Sequence, residues 1–102
     1  MNNPSNLFQK RDGAYCLSGE LSFDTVPQLW QQSQEALKNK APSVVFDLAE
    51  VTQSDSSGVA LLIAWTRSIR RQSRTIHFMH LPKQMLAIIQ LAGLKNIIPI
   101  KI

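Results

Sequence analysis

Asp55-Ser56-Ser57-Gly58 stands between two stretches of different periodicity, and this junction constrains the fold more than any other feature of the chain. Before it, residues 43–48 hold the continuous apolar run Val44, Val45 and Phe46, the pattern of a strand covered on both faces. A loop through Glu50, Val51 and Thr52 is expected next. After the junction the spacing predicts a helix to about Gln72, with Val59, Leu62, Ile63, Thr66 and Ile69 gathered on one side. A buried strand that feeds an amphipathic helix is the building unit of an α/β fold.

The rest of the chain repeats the unit. Residues 7–10 and 14–18 read as two strands joined by a turn at Arg11, Asp12 and Gly13. Asp24 or Thr25 can cap a helix with Pro27 in its first turn, and Val26, Leu29, Trp30, Ser33 and Leu37 give it one face to bury. Trp30 is thereby expected in the core. Residues 75–79 form a further strand. A third helix starts at Pro82 and stops at Gly93, with residues 97–100 as a last short strand in which Pro99 suggests an edge or strand-end position. The predicted order is β-β-α-β-α-β-α-β, a mixed β-sheet packed with helices, in a single domain over residues 1–102 whose first six residues are expected to be flexible.

Several function classes are disfavoured. Cys16 is the only cysteine, so no internal disulfide can form, and its apolar neighbours suggest a buried small side chain. The polar start of the chain has no signal-peptide pattern. The longest apolar run, residues 59–65, is far short of the roughly 20 residues of a membrane span. A soluble, cytoplasmic protein is expected. His77 and His80 have no cysteine or carboxylate at metal-binding spacing, and Ser56 has no histidine near it in sequence. No phosphate-binding glycine loop is present. The expectation is no catalytic residue, no metal and no cofactor; nucleic-acid motifs are missing as well.

Charge is unevenly placed. All seven acidic residues lie at or before Asp55, whereas Arg67, Arg70, Arg71, Arg74, Lys83, Lys95 and Lys101 follow it, within a net charge of +4. Such asymmetry orients a domain against an acidic partner or an anionic surface.

The candidate site is the start of the long helix. Asp55 is placed to cap it, and Ser56 falls among backbone N–H groups that lack intrahelical partners, where an added phosphate would be favoured. Helical geometry turns Leu61, Ala64 and Ser68 away from the sheet, with Ala60 and Trp65 at the flanks, an apolar strip where a soluble helix is normally polar. The expected partner-binding set is Asp55, Ser56, Ser57, Ala60, Leu61, Ala64 and Trp65, extended by Arg67 and Arg71. Leu61 and Trp65 serve as apolar anchors in this reading, so Leu61→Glu should abolish binding and leave the chain folded.

Leu17-Ser18-Gly19-Glu20-Leu21, Val45-Phe46-Asp47-Leu48 and Asp55-Ser56-Ser57-Gly58, in this element order, resemble the STAS family. The resemblance implies a STAS-type fold and protein docking without catalysis. In one branch, the bacterial anti-anti-sigma factors, the serine after the aspartate is phosphorylated by an anti-sigma serine kinase; that position is Ser56. In the other, a small stand-alone STAS subunit binds the cytoplasmic ATPase of a phospholipid ABC transporter that maintains outer-membrane lipid asymmetry, and sits with its permease at the inner membrane. Pro27-Gln28-Leu29-Trp30 and Gly58-Val59-Ala60-Leu61-Leu62 favour the second branch. Ser22 stands where both branches commonly carry an acid, with Asp24 two residues on.

Overall fold

The computed structural model describes residues 8–101. The flexible start expected for residues 1–6, and Leu7 of the first expected strand, lie outside them. The elements are β1 (Phe8–Arg11), β2 (Ala14–Leu21), α1 (Val26–Gln32), α2 (Gln34–Lys38), β3 (Ser43–Ser54), α3 (Ser56–Arg71), β4 (Thr75–Met79), α4 (Lys83–Leu91) and β5 (Ile100–Lys101). They build one sheet of order β1-β2-β3-β4-β5. The hairpin β1–β2 is antiparallel and every later pairing is parallel. The expected order holds, with the first helix in two pieces that meet at Ser33.

Each parallel crossover moves one strand over in the same direction. Right-handed connections of that kind put all the helices on one face of the sheet. The register agrees: Tyr15 pairs with Phe46 and Phe46 with Phe78, and these buried side chains share one core with Leu29, Leu37, Leu62, Trp65, Met85 and Ile89 from the four helices. The opposite face carries Cys16, Asp47 and Met79 side by side, all half-buried. Val45 lies on that face next to His77 and is half-buried too, so the expected double coverage of this strand is not found. Cys16 is likewise not in the core. The apolar run in β3 faces helices on one side only.

Two further boundaries differ from expectation. Residues 50–54 continue β3 where a loop was expected, because two register shifts, between Cys16 and Ser18 and between Gly19 and Glu20, carry the ladder on so that Gly19 pairs with Val51 and Leu21 with Ser54. The last strand begins at Ile100, later than expected. Pro99 has no N–H to give a ladder, but its carbonyl accepts from Phe78 N–H at 2.9 Å and sets the register. Pro82 caps α4, and Gly93 ends it at φ +69°, a left-handed conformation suited to glycine.

Among the described residues no helix is long and apolar enough to cross a membrane.

Candidate functional site

Asp55 caps α3 as expected: its Oδ1 accepts from Ser57 N–H at 2.8 Å, and its backbone N–H donates to Leu21 O at 3.1 Å. The second bond ties the start of α3 to the end of β2 and sets the turn at residues 22–25 beside it. In that turn Ser22 N–H donates to Thr25 Oγ1 at 2.9 Å, and Thr25 Oγ1 donates to Glu20 O at 2.6 Å. Ser22 is buried, whereas Asp24 is exposed.

Gly58 explains why α3 can start so close to the sheet. A Cβ at this position would meet Ser54 Oγ at 2.5 Å, Leu21 Cβ at 2.9 Å and Met85 Cε at 3.2 Å. With Cβ absent, the first turn of α3 presses against β2, β3 and α4.

The two helices on one flank then leave a groove between them. Phe23, Val26, Pro27 and Trp30 supply one wall, Ser57, Ala60 and Ala64 the other, and Leu61 its base; the volume is about 580 Å³. Phe23 is 80% exposed, so its ring stands at the rim with little of its surface covered. The short side chains of Ala60 and Ala64 leave room in the groove for an inserted side chain. The groove has no charged wall, and its walls are preorganised by packed helices, the properties of a protein-docking site.

Four members of the expected site, Ser57, Ala60, Leu61 and Ala64, therefore come together. Ser56 is exposed at the first helical position and Asp55 beside it. Arg67 and Arg71 are exposed further along α3 and do not line the groove.

The two tryptophans exchange the roles expected of them. Trp65 is fully buried; its Nε1 donates to Ser33 Oγ at 2.7 Å, and its ring lies 4.6 Å from that of Phe46. It is not an accessible anchor, because α1 and α2 cover the flank of α3 that looked open. Trp30, expected in the core, is half-buried and lines the groove. Leu61 is only 3% exposed, so a glutamate there would break the core, and the expectation that Leu61→Glu stays folded is corrected.

Arg74, one of the basic residues after Asp55, is withdrawn from the surface. It is buried, and its guanidinium donates to Ala41 O at 2.6 Å, Leu37 O at 3.1 Å and Ala36 O at 3.3 Å, closing the carbonyl end of α2.

Phe23 was missed in the sequence. Its signal was an aromatic residue stranded in a polar turn between Ser22 and Asp24, too short a context for any periodicity to report.

On the open sheet face, His80 Nδ1 lies 2.8 Å from Asp47 Oδ1, and Arg11 Nη2 lies 3.0 Å from Glu50 Oε1. Burial alone would raise the pKa of Asp47, but hydrogen bonds from His80 and Ala49 N–H and the charges of His80 and Arg11 hold it below the ordinary carboxylate value. No group of three or more metal-ligating side chains occurs among the described residues.

The family described as "Mlab, STAS domain" matches residues 9–99. The chain is 32% identical over 83 residues to the intermembrane phospholipid transport system binding protein MlaB of Haemophilus influenzae, covering 78% of this chain and 79% of that one. Among solved structures it is similar to an anti-sigma factor antagonist from Mycobacterium paratuberculosis, with TM-score 0.74 at 24% identity over 98% of this chain and 89% of the other. The phosphorylated form of the Bacillus cell-fate determinant SpoIIAA superimposes with TM-score 0.66 at 19% identity, over 93% and 89%. At these identities the structural likenesses speak for the fold alone.

Proposed function

We propose that this chain, which belongs to the STAS family and within it to the group described as Mlab, works as a non-catalytic accessory subunit on the ATPase of a phospholipid ABC transporter. Its place is then cytoplasmic, held at the inner membrane through the ATPase and permease. The observation that carries the reading is the preformed apolar groove between α1 and α3, rimmed by the exposed Phe23. A side chain of the ATPase fills it, while Asp55, Ser56 and Ser57 offer polar contacts at one end and Arg67 and Arg71 reach acidic groups along α3. The identity to a phospholipid-transport binding protein supports the choice of partner.

The test is affinity purification of the tagged protein from its own membranes, with Phe23→Glu as the paired variant. The expected result is recovery of an ABC ATPase with its permease by the wild type, and their loss with Phe23→Glu at unchanged circular dichroism. Recovery of the same proteins by both would remove the groove from the interface.

A second reading is favoured by one observation: Ser56 is exposed at the first position of α3, open to a kinase. In that case the partner is an anti-sigma serine kinase and Ser56 the phosphoacceptor, with Asp24, two residues after Ser22, in place of the acid missing there. Recovery of a serine kinase in place of the ATPase, with phosphate on Ser56, decides for it. Either way a charge at this position faces the partner, so Ser56→Asp should weaken the complex more than Ser56→Ala.

A further inference from the structure

We propose that a second cavity, between α4 and the β4–β5 edge, binds a single-chain anionic amphiphile. The cavity has a volume of about 670 Å³ and shares no lining residue with the α1–α3 groove. Its apolar lining is Leu81, Leu86, Ile89, Ile100 and Met79, with His80 and Gln90 beside them. Lys95 and Lys101 also line it and are both exposed, while among the described residues no acidic side chain lines it. Asp47 holds His80 from outside the cavity, at 2.8 Å.

This combination selects a ligand class. Apolar walls without charge take a hydrocarbon tail, and the two lysine ammonium groups take an anionic head. A neutral apolar ligand would leave the lysines without a role, and a compact anion would leave the aliphatic walls wet. The surroundings agree. Among the described residues three large hydrophobic side chains are exposed; Phe23 belongs to the groove, and the other two, Leu91 and Ile97, belong to the end of α4 and to the turn that carries Lys95. The head group is a carboxylate or a phosphate diester, as in a fatty acid or a lysophospholipid. The inference uses only the cavity and its charges, so it stands or falls apart from the proposed partner.

The test is titration of the isotope-labelled protein with dodecanoate and with lauroyl-lysophosphatidylglycerol, each below its critical micelle concentration, followed by amide chemical shifts. Expected is saturable binding with shifts concentrated at Gly93, Lys95 and Lys101. Affinity should rise roughly threefold per methylene from octanoate to dodecanoate. Lys95→Glu/Lys101→Glu should weaken it about fivefold or more, and Lys38→Glu/Lys40→Glu, the same change of net charge elsewhere, should leave it intact. Binding of dodecanoate alone assigns a carboxylate head, and binding of the lysolipid alone a phosphodiester. The proposal is overturned by any of four results: no saturation, equal binding of dodecyltrimethylammonium, equal loss in both charge variants, or shifts at Phe23 and Trp30.

Discussion

Gly58 is a packing glycine. It lies in ordinary helical backbone, so alanine would gain about 1 kcal/mol of helix propensity there. Contact at 2.5 Å with Ser54 Oγ and 2.9 Å with Leu21 Cβ outweighs that gain, because those atoms sit close to the backbone of β3 and β2. Gly58→Ala is expected to cost about 1–3 kcal/mol net, measured by urea denaturation; a more stable variant would show that α3 can shift outward. Arg74 is a comparable case. Lysine cannot reproduce a planar fork that serves three carbonyls, so Arg74→Lys should lose about 1–3 kcal/mol, nearly as much as Arg74→Met. Asp47 contributes through its lowered pKa. A carboxylate held below its ordinary value stabilises the fold above about pH 4 and loses that contribution as the pH falls further, through the folded-state value. Wild type should therefore exceed Asp47→Asn by under about 1 kcal/mol near neutrality, given the exposure of His80, with the gap closing in acid.

Helix α3 shows how one element serves two neighbours. Its buried side chains Leu62, Thr66 and Ile69 face the sheet, and Trp65 reaches α1–α2 through Ser33. The arc left over, Ala60 and Ala64 above Leu61, is the wall of the groove. Substitutions on it should separate cleanly. Phe23→Glu, across the groove, changes an exposed ring and should move the thermal midpoint by little, while Leu61→Glu places a charge in the core and should unfold the chain or lower its stability by several kcal/mol, about 3 or more. Thermal scans of the two variants check this directly. The strip of small and apolar residues on α3 was legible in the sequence as a face without polar cover. What was not legible was its width, because periodicity reports a direction around one helix and says nothing of how many neighbours press against it.

For the whole molecule, the one-sided arrangement predicts a gradient of protection. β3 has a partner strand on each edge, β4 along residues 43–47 and β2 along residues 46–54, and is buried on its helix side, whereas β5 contributes two residues and β1 has one partner. Amide exchange should be slowest in β3 and β4 under α3, and fastest in β1 and β5. Equal protection across the sheet would mean that it opens only by global unfolding. The sheet face without helices is also where the two ion pairs sit, so charged groups cover part of a surface that parallel sheets usually give to helices.

Element types and their order were readable from the chain because they rest on local chemistry: an apolar run ending before Asp55, helical spacing from Val59, Pro82 and Gly93 bounding α4. The same holds for Asp55 as a cap, which acts on an N–H two residues away. Tertiary structure alone decided which residues of those elements meet solvent. Trp65 is buried by a bond to a serine 32 positions earlier, and Arg74 is held by carbonyls 33 to 38 positions earlier. No window of local sequence contains both partners. Burial depends on where another segment of chain lies, and that position is set by the direction in which the strands are laid down.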